Sequence, residues 1–229
     1  MIFSGCFRPI NPSNNKVMAR INNGIFGHFT GKVGGVVGTT WRGMPVLKTA
    51  PKEITKQPSA AQLLQRAKFS FAMGFLNPLK PFLAERFGKM EGTKAPFDLA
   101  LSYHLKEAIK VEGDLLVMDY PKVCISKGHL RGLEALIASL QSGSILTIQW
   151  ADNSAQSFAS PGDVLTLVLY VPSVASFFFF ENGVLRQDTF VQLTLPEEAV
   201  DVELHCWGTF VTFTRSRAAT SSYFLIEGE

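Results

Sequence analysis

The C-terminal half of the chain is a succession of short apolar runs: ILTIQW (145–150), DVLTLVLYV (163–171), SFFFFE (176–181), VLRQ (184–187), FVQLTL (190–195), DVELHCWGTFVTFT (201–214) and SSYFLIE (221–227). These runs are rich in β-branched and aromatic residues and are separated by turn residues, which is the pattern of strands rather than of helices. Two shorter runs, LLVMDY (115–120) and KVCIS (122–126), precede them. The spacing predicts an antiparallel β-sandwich of the immunoglobulin or fibronectin type.

Two points inside this region concern the connections. Asn182 and Gly183 follow an apolar run, and both residues tolerate the positive φ of a type I′ turn, so they predict a β-hairpin. The stretch HLRGLEALIASLQSG (129–143) is compatible with a short helix or with a strand and a long loop. The pattern does not decide between them.

Upstream of the strands the pattern is helical. Ser59 is a candidate N-cap for a helix over about 59–76, because Leu63, Ala67, Phe71 and Phe75 recur at intervals of four and give one apolar face. LKPFLAERFGK (79–89) is interpreted as a second short turn or helix, and a further helix is predicted from Pro96 to about 110.

The run GIFGHFTGKVGGVVGTTWRGMPVLKTAP (24–51) contains seven glycines among its first 20 residues, with Val, Phe and Trp between them. Glycine in a strand marks a bend or the close approach of another backbone, so the run predicts an extended β ribbon that requires a partner surface. The candidate interaction residues are Gly31, Lys32, Gly34, Gly35, Gly38, Trp41, Arg42 and Gly43.

Charge is distributed unevenly along the chain. Residues 1–68 carry ten Lys or Arg and one acid, a net charge of +9, and the whole chain has 22 basic and 19 acidic residues, so the remainder carries −6. A basic arm on an acidic body indicates either an anionic partner such as nucleic acid or head-to-tail contact between copies of the chain. Phe26, Phe29 and Trp41 beside Arg42 have the chemistry to stack on bases, and a solvated surface strand is the simplest alternative.

Composition indicates a globular protein, with 46% hydrophobic and 18% charged residues. Cys6, Cys124 and Cys206 lie far apart without a CxxC pair, which favours reduced, packed thiols. The first residues lack the long apolar core of a secretory signal, and no apolar run reaches the roughly 20 residues of a membrane span. Cytoplasmic synthesis follows, and the final location stays open between a phage-like particle, a cell-surface assembly and a cytosolic complex.

Catalytic patterns are weak. GKVGGVVGTT (31–40) lacks the terminal Gly-Lys-Ser/Thr of a P-loop, and the four histidines do not cluster in sequence. His205 and Cys206 are adjacent on a predicted strand, so their side chains point to opposite faces and do not share a metal ion. Cys124 is interpreted as a packing residue, and Glu197 as a solvated turn residue. We therefore predict no catalytic, cofactor-binding or metal-binding residues.

Several blocks carry a family resemblance. They are the run 24–51, SAAQLLQRAKFSFAMGFLNPLKPFL (59–83), LSYHLKEAI (101–109), YPKVCISKGHL (120–130), QWADNS (149–154), DVLTLVLYVP (163–172), LP (195–196) and SSYF (221–224). In this order they resemble the uncharacterised bacterial family called domain of unknown function 6266, from about residue 18 to the C-terminus. The resemblance implies Bacteroides-like bacterial relatives that begin near MARINNGI and have no assigned activity. The first block also loosely resembles bacteriophage structural proteins.

The sequence thus predicts an α+β, mainly β protein. Residues 1–17 form a non-core extension, with Met18 as the expected translation start; residues 18–112 form the glycine-rich ribbon with two helices; and residues 113–229 form the sandwich. The predicted function is a non-enzymatic structural or interaction protein that assembles with itself or another protein by strand addition of the ribbon. The alternative is nucleic-acid binding through the basic arm.

Overall fold

The structure is a computed structural model, which describes residues 20–21, 27–51, 57–141, 144–181, 183–200 and 202–226. The expected extension at 1–17 and start at Met18 lie outside these residues. The chain divides into two compact units, Met1–Gln57 and Pro58–Glu229. The boundary expected at 112–113 instead falls within the second unit, because the helices that follow Pro58 pack against the sandwich.

The first unit is an antiparallel sheet with strand order β1-β2-β3-β4. Its strands are β1 (Arg20–Ile21), β2 (Phe29–Val33), β3 (Val36–Trp41) and β4 (Met44–Thr49). The two hairpins turn on Gly34–Gly35 and Arg42–Gly43. Arg42 and Gly43 have φ of +49° and +81°, the double positive φ that a type I′ turn requires.

Position 38 requires glycine, because Phe29 lies very close to its backbone. A Cβ atom on Gly38 would overlap the carbonyl oxygen and the ring of Phe29. Gly38 is also the partner of Gly31 in the register, so this part of the sheet carries no side chain from either strand. The absence of both side chains lets the ring of Phe29 lie over the sheet.

Three helices begin the second unit: α1 (Ala60–Leu76), α2 (Lys80–Arg86) and α3 (Pro96–Glu107). Ser59 caps α1 as expected, and Ser59 and Gln62 form a reciprocal capping box. Only the C-terminal half of α1 packs: Ala72 and Leu76 are buried, whereas Leu63, on the predicted apolar face, is exposed. A two-stranded hairpin, β5 (Ile109–Glu112) and β6 (Leu115–Met118), follows α3.

The remaining seven strands form the predicted sandwich. They are β7 (Ile137–Gln141), β8 (Ile145–Gln149), β9 (Val164–Val171), β10 (Ser176–Phe180), β11 (Phe190–Thr194), β12 (Leu204–Val211) and β13 (Ser222–Ile226). One sheet has the order β11-β8-β7 and the other β10-β9-β12-β13, with antiparallel pairing throughout. Alternate residues such as Leu146, Leu169 and Phe210 fill the core between the sheets. This arrangement is an immunoglobulin/fibronectin-like sandwich.

The helices cover the outer face of the four-stranded sheet. Val168, Tyr170 and Trp207 point away from the inter-sheet core and join a second core with residues of α1, α2 and α3. Since β9 and β12 are buried on both faces, their sequences are nearly continuous apolar runs without alternation.

The phenylalanines of β10 divide between the two cores. Phe177 contacts Phe75 of α1 with ring centroids 5.1 Å apart, and Phe179 contacts Phe82 of α2 at 5.8 Å. Phe178 and Phe180 pack against the inter-sheet core. The run of four aromatic residues therefore joins the helical layer to the sandwich.

Several expectations about individual segments were wrong. VLRQ forms an isolated bridge between Leu185 and Val164 and then a 3₁₀ turn, and KVCIS contains no strand. Within the undecided stretch 129–143, the described residues 129–141 form a loop and then β7. Asn182 lies outside the described residues; the flanking strands β10 and β11 belong to different sheets, so they do not form the expected hairpin. The helix expected to reach about 110 ends at Glu107, because the next residues pair as β5.

Candidate interaction surface

The eight residues singled out from the sequence all lie in the N-terminal sheet. Gly31 and Lys32 are in β2, Gly38 and Trp41 are in β3, and the other four form the two hairpin turns. The guanidinium of Arg42 lies 5.3 Å from the ring centre of Trp41. The structure brings these residues together in one sheet, whereas their role in an interaction stays a prediction.

The register separates the side chains of this sheet into two faces. We name one the uncharged face, and it consists of Phe29, Gly31, Val33, Val36, Gly38, Thr40, Pro45, Leu47 and Thr49. We name the other the basic face, and it consists of Thr30, Lys32, Val37, Thr39, Trp41, Met44, Val46 and Lys48. Since side chains alternate along each strand, all the charge of β2–β4 is on one side.

Neither face is covered within the described part of the first unit. Among residues 27–51 and 57 only Gly38 is buried, so the apolar side chains of this stretch form no core among themselves. On the uncharged face Leu47 is 67% exposed and Val33 is 54% exposed. On the basic face Trp41 and Met44 are exposed as well. A sheet with apolar side chains is stable when one of its faces packs against another layer. The described sheet therefore has exposed surface that is available for such a contact.

No described strand pairs with the outer edge of β4. The amide of Ala50 donates to the carbonyl of Gly35, and alternate residues of an antiparallel strand bond to the same neighbour. The even-numbered residues of β4 therefore bond to β3, and the backbone N–H groups of Leu47 and Thr49 point away from β3. Pro45 occupies the third outward position and has no N–H, as is usual for proline in an edge strand. The donors of this edge are therefore at the Leu47–Thr49 end.

Cys124 and His104 form a buried pair whose geometry is structural. His104 Nδ1 lies 2.7 Å from the carbonyl oxygen of Ala100, and its Nε2 accepts from the backbone N–H of Cys124 at 3.3 Å. The Cys124 thiol donates to the carbonyl of Ser126. Burial lowers the pKa of His104 and raises the pKa of Cys124, which disfavours both imidazolium and thiolate. The pair fixes the segment after β6 against α3.

His205 belongs to an aromatic cluster on the helix-covered face of β12. Its ring stacks on Tyr120 with centroids 3.7 Å apart, and its Nδ1 lies 2.9 Å from the hydroxyl of Tyr223. Glu203 Oε1 is 3.4 Å from Nε2. Burial lowers the pKa of His205, and burial together with Tyr170 raises the pKa of Tyr120 to about 12. Cys206, the neighbour of His205, points into the inter-sheet core, as the alternation predicted.

Depressions in the described part of the second unit include one beside the loop before β7 and one beside α2. One, of about 660 Å³, is formed by the loop before β7 and by residues 156–158, and His129, Arg131 and Phe158 contribute to it. The other, of about 320 Å³, lies between α2 and the end of β10, beside the Arg86–Glu181 ion pair of 2.7 Å. Cys124 and His205 are in neither depression, and Glu197 lies in an exposed turn.

The described residues contain no group of three His, Cys, Asp or Glu side chains placed to hold a metal ion. None of the described helices combines the length and the apolar character required to cross a bilayer.

Several residues of the two faces were not among the sequence-based candidates. Val33, Val36, Leu47 and Lys48 contribute to the faces, yet the glycines drew attention to the turns instead. Alternation within MPVLKT (44–49), with Pro and Leu on one side and Val and Lys on the other, was the available signal.

The second unit is thus an immunoglobulin-like β-sandwich with a helical layer on one sheet, preceded by a glycine-rich sheet whose faces are open among the described residues. The model of the family of unknown function DUF6266 matches residues 28–225. The chain belongs to that family, as its ordered sequence blocks indicated.

Comparison with solved structures adds two likenesses. A two fibronectin type-III domain segment from chicken tenascin is 13% identical with a TM-score of 0.34, over 43% of this chain and 49% of that one. The fn3 domain of human contactin 1 is 9% identical with a TM-score of 0.30, over 45% of this chain and 83% of that one. This chain therefore spans about half the length of the tenascin segment. Both TM-scores are below 0.5, so the fold assignment rests on strand order and register. No curated protein matches the chain significantly.

Proposed function

We propose that this chain is a non-enzymatic structural protein that assembles with copies of itself through its N-terminal sheet. The observation that carries the proposal is the absence of any buried apolar side chain among residues 27–51 of the first unit. Fully burying a Val or Leu side chain contributes about 1.5–3 kcal/mol, so a partner that covers Val33, Val36 and Leu47 gains a few kcal/mol in total.

The proposed mechanism is strand addition. The free edge of β4 pairs with a sheet edge of a neighbouring copy, using the outward N–H groups of Leu47 and Thr49. Pro45 limits this pairing to one end of the strand, which restrains uncontrolled edge-to-edge aggregation. Because the donor is a different surface from the acceptor, the contact is heterologous and generates rings or filaments.

Charge supports a copy of the same chain as the partner. By sequence, residues 1–57 carry eight Lys or Arg and one acid, a net charge of +7; residues 58–229 then carry 14 basic and 18 acidic residues, a net charge of −4. Oppositely charged units attract one another between copies and increase the rate of association.

The test uses light scattering after size-exclusion chromatography, with the intact chain and two variants at one position. Thr49→Pro removes an outward backbone donor, whereas Thr49→Val keeps the donor and changes only the side chain. We expect a concentration-dependent oligomer that Thr49→Pro weakens and Thr49→Val preserves. Equal assembly by both variants would exclude pairing through this edge.

A second measurement addresses the basic face. Fluorescence anisotropy with a random single-stranded oligonucleotide, at two salt concentrations, compares the wild type with Lys32→Glu/Lys48→Glu. The proposal expects no appreciable binding in either case. A chain that stays monomeric at all concentrations and binds the oligonucleotide in a salt-dependent way would contradict the proposal.

A further inference from the structure

The three-stranded sheet of the sandwich has an outer face without a charged residue. The inward positions Leu146, Ile148 and Val191 belong to the inter-sheet core, so the alternate positions point outward. We name these outward positions the bare face, and its described members are Ile137, Ser139, Ile145, Thr147, Gln149, Phe190, Gln192 and Thr194.

The bare face differs from the other outer face of the sandwich. The helical layer covers the four-stranded sheet, whereas Ile137 and Phe190 on the bare face are 62% and 56% exposed. The register places these two residues on either side of Gln149, so they form one row across the sheet. Solvated sheet faces usually carry Lys and Glu, and the lack of charge here favours contact with another uncharged surface.

An unsatisfied polar atom lies at the centre of this face. Thr147 lies between Ser139 and Gln192 and is 7% exposed, and its Oγ1 has no hydrogen-bond partner among the described residues. A buried hydroxyl without a partner is unfavourable, and a contact that shifts the neighbouring side chains could give it one.

We infer that the bare face receives the uncharged face of the N-terminal sheet from a neighbouring copy. The inference rests on the proposed function, since both require the N-terminal sheet to contact another copy; this contact uses its face, whereas strand addition uses its edge. Neither surface has a charge to desolvate, so sheet-on-sheet packing incurs no unpaired-charge penalty.

The two surfaces also match in size. Each comprises three strands of five or six residues (β2–β4, and β7, β8 and β11), which corresponds to about 14 Å by 17 Å. One such contact covers roughly 240 Å² of flat area a side, well below the about 800 Å² per partner of stable complexes. The contact is therefore weak on its own, and assembly depends steeply on concentration.

The test is a mixing experiment with one variant on each surface. Leu47→Lys places a charge on the uncharged face, and Gln192→Lys places one on the bare face at an exposed position. Each variant alone is expected to associate more than about tenfold more weakly than the wild type, because a Lys in the contact is desolvated without a partner. Ser173→Lys, in the exposed β9–β10 loop, is the charge-matched control and assembles like the wild type.

The mixture distinguishes the inference from the proposed function. A Leu47→Lys copy retains an intact bare face, and a Gln192→Lys copy retains an intact uncharged face, so an equimolar mixture should regain one intact face contact per pair and associate more strongly than either variant alone. A Gln192→Lys variant that assembles like the wild type, or a mixture that associates no more strongly than either variant alone, overturns the inference while the proposed function stands. Wild type that stays monomeric up to hundreds of micromolar overturns both.

Discussion

Replacing Asp163 by Asn is expected to destabilise the sandwich strongly, because it leaves a charge buried without a counterion. Arg186 is fully buried, and its Nε and Nη2 donate to Asp163 Oδ2 at 3.2 and 3.0 Å. Nη2 also donates to the carbonyl of Arg131 at 2.8 Å, and Nη1 donates to Asn153 Oδ1. The guanidinium carbon lies 3.9 Å from the ring centre of Phe210. Burial lowers the pKa of Arg186, which reflects the same cost of desolvation.

The magnitude follows from the isosteric change. In the Asp163→Asn variant the amide oxygen can still accept the hydrogen bond that Ser160 N–H donates to the carboxylate at 2.9 Å, so the loss is mainly the negative charge. Removing one partner of a buried ion pair costs about 3–5 kcal/mol. For a unit of this size 1 kcal/mol shifts Tm by about 2–4 °C, so Tm should fall by about 6–20 °C. The assay is urea and thermal unfolding followed by tryptophan fluorescence, since Trp150 donates to the carbonyl of Arg186.

Two further variants make this result interpretable. Arg215→Gln breaks the ion pair between Arg215 and Glu181, in which Arg215 is largely exposed, and should cost less than about 1 kcal/mol. The double variant Asp163→Asn/Arg186→Met removes both charges and should be more stable than Asp163→Asn alone. A loss below about 1 kcal/mol for Asp163→Asn would refute the assignment of this pair as a buried structural link.

Two other predictions concern the N-terminal sheet and the buried histidines. Gly38→Ala should abolish amide-exchange protection in β2 and β3, because the added Cβ overlaps Phe29. Gly35→Ala should preserve that protection, because the space around Gly35 is open. Equal protection in both variants would contradict the close approach of Phe29 to Gly38. Burial lowers the pKa of His104 and His205 in the folded chain. Below the unfolded histidine pKa of about 6.5, the unfolded chain therefore binds more protons than the folded one. The free energy of unfolding should be unchanged above that pH and should fall as the pH decreases towards about 5. Urea unfolding at a series of pH values measures this change. The His205→Gln variant should show a smaller pH dependence of stability. Stability that rises on acidification would be inconsistent with neutral buried imidazoles.

The sequence predicted the sandwich because most of its strands are separated by clear turn residues and built from β-branched and aromatic residues. It also predicted α1 through the Ser59 cap. The exposed first half of α1 was not predictable, since Leu63 has the same spacing as Phe71 and only the tertiary contacts distinguish them. VLRQ has the composition of a strand, but the buried side chain of Arg186 donates to Asp163 and the backbone forms a 3₁₀ turn from Arg186 instead of continuing as a strand.

The surfaces were predictable only in part. The glycine-rich run indicated a segment that requires a partner, and its eight candidate residues do lie in one sheet. The separation into an uncharged and a basic face depends on the strand register. The two tight turns determine that register, and amino-acid composition alone does not predict it. The bare face was missed because Ile137 and Phe190 belong to distant runs that pair only through β8.

The central claim is that the N-terminal sheet contacts another copy of this chain, and photo-crosslinking from position 47 tests it most directly. A photoreactive residue in place of Leu47, in an equimolar mixture of copies with natural and heavy nitrogen, is irradiated and analysed by mass spectrometry. The account predicts crosslinked peptides that join the two isotopic forms, with the attachment on β7, β8 or β11. Crosslinks confined to single copies, or absent between copies at concentrations where larger species form, would contradict it.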